Sequence, residues 1–370
     1  MTNMAAPSAD DYTVALIYIK PLEMMAITPM LDERLSSVPV ALGDLNDYTL
    51  GRIGDHNVII VGPARGDQGT IATAQFVTTI RLTFPNITVG LLVGIGGGIP
   101  RYPENDVRLG DIVVGAPETG PAVVQYDLGK RTIDGFELTR NLSKPPGLLL
   151  QVVNKVEDKL MCLQDGEVDI LKPHLDRFLK YPRLKRDYQK PSAPDRLFKS
   201  EFLHERHSEC SEHSDQFEQI REPRESDHIF IHHGTILSGD TVMKSSKDRD
   251  MLSDKHKNAL CFEMEAAGLM DVFPCLVIRG ICDYADSHKN DAWQPYAAAA
   301  AAAYAREILL NMTKHLPRTP EIRELVKPID EETPVDSRSH YTAVFSSSRN
   351  SGVQVGHNTG NMTNTFGRKG

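Results

Sequence analysis

Apolar residues along this chain fall in short unbroken runs, separated by longer stretches in which they recur at helical spacing. The runs at 14–19, 58–61, 88–93 and 111–114 are four to six residues long. That is the length and texture of strands buried on both faces of a sheet. Segments 23–34 and 70–84 have helical spacing, and Pro85-Asn86 stops the second. A further helix is expected over 147–163. The pattern then breaks and resumes, with strands at 229–237, 259–264 and 275–281 and a closing alanine-rich helix over 297–314. Strand–helix alternation of this kind predicts an α/β fold, a three-layer αβα sandwich around a twisted, mostly parallel central sheet.

Four stretches stand outside the pattern and set the expected domain limits. Residues 1–12 read as a disordered lead-in to a catalytic domain at 13–315. Residues 164–228, rich in Lys, Arg, Asp, Glu, His and Pro, read as an inserted surface region or long loop. Residues 316–340 place Pro317, Pro320, Pro328 and Pro334 among charges, as linkers do. Residues 341–370 form a polar tail rich in Gly, Asn, Ser and Thr, with Val353 and Val355 alternating in it.

Composition narrows the functional classes. The net charge of -9 over 370 residues speaks against a general nucleic-acid binder, which needs a basic surface to displace counterions. No positive, then apolar, N-terminal segment marks a signal peptide, and the alanine run at 297–303 is too short to span a bilayer. Five cysteines without regular spacing read as a reduced, cytoplasmic protein without membrane attachment. His204, His207, Cys210 and His213 cluster loosely, but zinc sites show tighter paired spacing, so neither metal nor cofactor is expected.

Three segments carry candidate chemistry. In Phe262-Glu263-Met264-Glu265-Ala266-Ala267 a strand gives way to a helix, the place where α/β sheets bind ligands. A carboxylate there can accept two hydrogen bonds from a vicinal diol, or simply sit at a helix N-terminus and face solvent. In Arg279-Gly280-Ile281-Cys282-Asp283 an apolar strand delivers Asp283 at its end. A partly buried acid in that position can protonate a leaving group, and an Asp there can equally cap the following turn. Glu23, just past the first strand, can activate a water or be an ordinary first-turn helix residue.

In order and spacing these segments resemble the purine nucleoside phosphorylase/uridine phosphorylase superfamily, and above all its hydrolytic, nucleosidase branch. The matching landmarks are Glu23, Gly94 to Gly98, Leu109-Gly110-Asp111-Ile112-Val113, Ser238-Gly239-Asp240, Glu263-Met264-Glu265 and Arg279 to Asp286, spread over residues 13–315 outside the insert. The resemblance implies that Glu265 binds the ribose hydroxyls, Met264 the sugar face, and Glu263 and Arg279 the same pocket. It implies Asp283 as the general acid at purine N7 and Glu23 as the residue that activates water. Gly94, Ile95 and Gly96 would let backbone approach the ligand. Val242 falls where the family packs a residue on the base, often an aromatic one, so an aliphatic residue there is a departure, and Met243 beside it is a further candidate for the substrate pocket.

Phosphorylases of this superfamily hold phosphate through an Arg-x-Gly-Ser pattern, where this chain reads Leu92-Val93-Gly94-Ile95. Isoleucine cannot donate to a phosphate oxygen, and Glu23 would set a like charge against it, costing on the order of 4 kcal/mol at about 4 Å. Hydrolysis is therefore expected, with purine phosphorolysis of the salvage type as the alternative. Aspartate at 283 suits 6-aminopurines in this superfamily and points to an adenine nucleoside or nucleotide as the small-molecule partner. The chain also resembles nucleosidase domains of fungal NLR-like immune proteins, some relatives of which split ATP into adenine and ribose triphosphate. For a triphosphate, Lys20, Arg65, Arg101, Lys130 and Lys244 are the candidate cations. The superfamily commonly forms homo-oligomers. The tail resembles C-terminal amyloid signalling motifs, which implies an NLR-like partner carrying a similar motif. The competing class is an inactive nucleotide-binding module that serves only assembly.

Overall fold

The computed structural model describes residues 7–313, apart from 134, 139–141, 165, 204–215 and 257–258. The expected linker and tail, and all four residues of the loose His/Cys cluster, lie outside the described residues. Thirteen strands are described: β1 (Val14–Ile17), β2 (Glu33–Arg34), β3 (Thr49–Ile53), β4 (His56–Val61), β5 (Val89–Gly98), β6 (Ile112–Val114), β7 (Val123–Gln125), β8 (Gly129–Thr132), β9 (Gly135–Leu138), β10 (Ile231–His233), β11 (Thr235–Ser238), β12 (Ala259–Glu263) and β13 (Leu276–Asp283). The helices are α1 (Pro21–Ile27), α2 (Thr70–Thr83), α3 (Gly147–Met161), α4 (Lys172–Leu175), α5 (Pro182–Tyr188), α6 (Ser246–Lys255), α7 (Ala266–Leu269) and α8 (Gln294–Asn311).

One eleven-stranded sheet runs in the order β10-β6-β13-β5-β1-β4-β3-β2, with β11, β12 and β7 joined beyond β5. Its central pairings β13–β5, β5–β1 and β1–β4 are all parallel. Alternate residues of β1 enter different cores. Val14 and Leu16 pack with α1, α3 and α8, whereas Ala15 and Ile17 pack with α2 and α7. Burial on both faces is what turns these strands into continuous apolar runs, and it produces the three-layer αβα architecture.

α8 shows how tightly the layers close. Alanines 297–303 are buried all round, and a Cβ on Gly280 of β13 would lie 1.9 Å from the Ala297 carbonyl oxygen. Only a glycine facing an alanine helix permits that approach. Among the described residues no helix is long and apolar enough to cross a membrane.

Several boundaries differ from expectation for local reasons. Part of residues 1–12, expected to be disordered, is folded. Ala9–Asp11 form a 3-10 turn, and fully buried Tyr12 packs edge-on against Phe84. The helix expected at 23–34 ends at Ile27, because Pro29 turns the chain through a 3-10 segment into β2. The glycine run lies within a strand. β5 continues through Gly98, paired to β13 as far as Gly97 and to β12 at Gly97 and Gly98. The insert is no plain loop. It carries α4 and α5, buries Phe178 and Tyr188 in the α8 core, and sets His174 2.7 Å from Glu307 of α8.

Gly280→Ala should therefore cost about 3 kcal/mol or more, since backbone rather than a flexible side chain must yield. Urea unfolding monitored by circular dichroism checks this, and an unchanged midpoint would mean that α8 does not sit where the packing places it.

Candidate active site

The carboxyl ends of β1, β5, β12 and β13 converge on a cavity of about 250 Å³. Ligands bind at this end of parallel sheets because the strand ends and following loops open there. Glu23 reaches it from the first turn of α1, behind Pro21, whose fixed φ suits a helix start. One Glu23 oxygen accepts from the backbone N–H groups of Ile19 (2.9 Å) and Lys20 (2.8 Å), and the other accepts from Ile95 N–H (2.9 Å). Of its roughly four lone-pair positions three are held by backbone, so the carboxylate is fixed in orientation. Gly94 makes room for it, because a Cβ there would lie 2.4 Å from Glu23 Oε1.

Arg279 is buried beneath the cavity and faces three carboxylates. Its Nη2 is 2.5 Å from Glu263 and 3.6 Å from Glu265, and its Nη1 is 4.0 Å from Glu23. Glu263 also accepts from the N–H groups of Glu265 (3.1 Å) and Ala266 (3.0 Å), so it caps α7 as well as pairing with Arg279. Glu265 has less support, a Met264 N–H at 3.3 Å and the more distant arginine. Burial, joined by the charges of Glu263 and Glu23, pushes its carboxyl up to about 7 against the pull of Arg279.

Asp283 ends β13 with its side chain almost wholly buried. Oδ1 accepts from Ala285 N–H at 2.9 Å, and Oδ2 lies 3.1 Å from the Cys282 thiol and 2.8 Å from Lys289 Nζ. Ala285 has φ +52°, the one non-glycine residue in the left-handed region among those described. That conformation costs about 1 kcal/mol and aims its N–H back at Asp283.

Of the residues singled out from sequence, Glu23, Ile95, Gly96, Val242, Met243, Glu263, Met264, Glu265, Arg279 and Asp283 line this cavity. Gly94 does not, and its part is to admit Glu23 and Arg279. Lys20 and Lys244 are at the wall, but three other expected cations are elsewhere. Arg101 bonds Ser253 and Asp254 beside a different cavity, Arg65 is exposed, and Lys130 is exposed on the β8–β9 hairpin. Sequence reasoning passed over Lys289, Gln68, Thr241, Asp291 and Gln294, which also line the wall. Only Lys289 left a signal, six residues after Asp283 in the same loop. Among the described residues no group of three or more His, Cys, Asp or Glu could hold a metal ion.

The carboxylate-lined cavity lies at the strand ends of a sheet whose fold is shared with solved nucleosidase structures. A solved structure that shares it is futalosine hydrolase of Helicobacter pylori, with a TM-score of 0.52 and 18% identity over 81% of this chain and 97% of that one. In sequence the chain is similar to a nucleotide-binding leucine-rich repeat (NLR)-like protein of Hyaloscypha variabilis, 39% identical over 306 residues, 81% of this chain and 29% of that protein. It is also similar to the ATP nucleosidase Cap17 of Escherichia coli, 34% identical over 86 residues, 22% of this chain and 17% of the enzyme. The chain thus spans under a third of the length of either relative. Residues 340–364 match a family described as the SesB domain on fungal death-pathway proteins.

The raised Glu265 carboxyl has a thermodynamic consequence whose sign is fixed. The folded state holds this proton more tightly than the unfolded chain does. Its favourable effect on stability is complete below the ordinary value of 4.5 and is lost as pH rises through about 7. Glu265→Gln, which carries no charge to bury, should be more stable than the parent at pH 8 and about equal to it near pH 4. A stability difference that stays constant across that range in chemical denaturation would mean an unstrained carboxyl.

Proposed function

We propose that this domain is an N-glycosidase that hydrolyses adenine nucleosides or nucleotides, and that its substrate is ATP, cleaved to adenine and ribose 5′-triphosphate. The observation that carries this reading is the meeting of Glu23, Glu265 and Asp283 in one cavity, with the Ile95 amide already engaged by Glu23. A phosphate nucleophile would have to displace that carboxylate from a backbone donor or sit against its charge. A water needs only the remaining Glu23 lone pair.

In this reading Glu23 orients the water and takes its proton. Glu265 accepts from the ribose diol, Met264 lies against the sugar, and Asp283 protonates N7 so that the base leaves neutral. Val242 and Met243 cover the base without an aromatic stack. Lys20 and Lys244 are the wall cations suited to the triphosphate. The ATP nucleosidase Cap17 is the relative that favours a nucleotide substrate, and the NLR-like protein together with the match to a SesB domain on fungal death-pathway proteins favours an immune or cell-death setting.

Purified protein should release adenine from ATP at the same rate with and without inorganic phosphate, followed by chromatography. Asp283→Asn should lower kcat by about 100-fold or more with little change in KM. Phosphate-dependent release would replace hydrolysis by phosphorolysis, and release from adenosine or inosine but not ATP would move the substrate to nucleosides.

Residues 340–364, which match the SesB domain, are in our reading the segment through which copies are gathered by a partner bearing a similar motif. Low charge, absent proline between 350 and 366, and Asn-rich turns suit stacked strands. Val355→Pro removes a ladder donor and should abolish assembly seeded by a peptide of this segment. Thioflavin-positive assembly of that variant at the parental rate would refute the idea.

A further inference from the structure

Asp283 can protonate a leaving base only as the neutral acid, and its ion pair with Lys289 works against that form. Lys289 Nζ is 2.8 Å from Oδ2, and only 2% of the Asp283 side chain is exposed. An ammonium so close to a buried carboxylate stabilises the ionised state of both partners. Burial works to strip the Lys289 proton, but Asp283, with Cys282 and Asp291, holds the ammonium above its ordinary value. The other groups on the Asp283 carboxyl supply no proton in its place. The Ala285 amide does not ionise, and burial and the Asp283 charge push the Cys282 thiol well up. Lys289 must therefore be drawn away before the acid can be protonated from solvent.

The cavity wall restricts what can draw it. Lys289 lines the cavity with 24% of its side chain exposed, so its flexible stem can carry Nζ from Asp283 towards a ligand. Lys20, from the end of β1, lines the same wall and is close enough to act on the Cys282 thiol, so a second cation stands on this side. In an anti nucleotide the 5′-phosphates run along the C8–N7 edge of the base, the edge that Asp283 addresses. A polyphosphate there offers an ammonium more charge and more acceptor oxygens than one carboxylate does.

We propose that Lys289 is a specificity-determining residue that holds Asp283 ionised until the 5′-phosphates of a nucleotide draw it off, so that nucleotides rather than nucleosides arm the acid. The inference rests on the nucleotide N-glycosidase reading above. Lys289 Nζ leaves Asp283 for a phosphate oxygen and keeps its charge throughout. A solvent proton then binds Asp283, which is buried and has lost its ammonium. Asp283 passes that proton to N7, and the C1′–N9 bond breaks with its electron pair going to the base. The water oxygen bonds to C1′ as its proton passes to Glu23, which later releases it. One proton is taken up and one returned, so the net reaction consumes one water. Binding of phosphates remote from the broken bond thus acts at the reacting centre.

Other charges around the pair favour the same sequence. Asp286, from the Lys289 loop, and Asp283 repel each other's charge, so removing the ammonium leaves a repulsion that a proton on Asp283 relieves. His288 and Asp291 also face the pair from that loop, and Lys244 joins the wall from the loop before α6.

The test measures adenine release from ATP and from adenosine by the full chain, from mildly acidic to alkaline pH. Lys289→Met should raise kcat on adenosine by about 10-fold or more, because the acid is freed. It should lower kcat/KM on ATP by about 10-fold, because a phosphate contact is lost. The alkaline fall in adenosine turnover should move to higher pH in this variant. Lys289→Arg keeps a cation for both partners and should keep the preference for ATP. A second measurement needs only the parent: added inorganic tripolyphosphate should speed its cleavage of adenosine to adenine and ribose, and should not do so in Lys289→Met. Adenosine turnover that falls or stays level in Lys289→Met, or a parent indifferent to tripolyphosphate, overturns the role of Lys289 while ATP cleavage by the parent still upholds the nucleotide reading. A parent that cleaves adenosine but not ATP overturns the nucleotide reading itself, and one that releases adenine from neither overturns the function and this proposal together.

Discussion

A single guanidinium, that of Arg279, faces three buried carboxylates, and the arrangement of the site follows from that imbalance. Neither charge is tolerable there alone, because an unpaired buried ion costs several kcal/mol. One arginine cannot satisfy Glu263, Glu265 and Glu23 equally. Glu263 takes it at 2.5 Å and adds two backbone donors. Glu23, 4.0 Å away, is held by three backbone N–H groups instead. Glu265 is left with the least compensation, and its carboxyl is the one raised to about 7. Of these three carboxylates, all of which line the cavity, Glu265 thus has the most to gain from a hydrogen-bonding ligand. Sheet register sets this up. Arg279 of β13 stands opposite Gly94 of β5, and Asp283 opposite Gly97, so missing side chains on one strand leave room for charged ones on the next.

How much of this was legible in the sequence follows from the same physics. The central strands were readable because burial on both faces leaves unbroken apolar runs. β3 was not, since its half-buried Thr49–Ile53 pattern mixes with loop residues, and β2 is a two-residue edge. The part that the glycines of β5 play was not readable, because glycine is usually needed for its backbone freedom. Here none of Gly94 to Gly98 has a positive φ, and what they supply is space.

The carboxylates were legible as strand-end residues, but their separate tasks were not. Glu263 and Glu265 are two positions apart with equivalent chemistry, and only the placement of Arg279 on another strand divides them. Cations were the weakest reading. Arg65 and Arg101 are in loops and Lys130 is on the short β8 strand, segments whose placement the local sequence does not fix, and Lys289, in a polar loop, looks like any solvated lysine until Asp283 is found beside it.

The insert is the part whose sequence says least and whose contacts are the most specific. Tyr188 of α5 donates its hydroxyl to the Leu22 carbonyl, the residue before Glu23. Arg177 bonds the carbonyls of Pro29 and Leu31 beyond the same helix. At the other side of the site, Arg221 donates to the Tyr284 hydroxyl at 2.9 Å and pairs with Asp195, which accepts from that same hydroxyl. Phe198 and Phe202 pack on His288, next to Lys289. One polar, proline-punctuated stretch therefore contacts both the α1 turn that carries Glu23 and the strained Asp283–Lys289 loop. A left-handed Ala285 persists only where its surroundings over-determine it, and here Arg249 on the Tyr284 carbonyl and Arg221 on the Tyr284 ring and hydroxyl do so. The charges that made residues 164–228 read as surface are spent on holding backbone that the central sheet alone leaves loose.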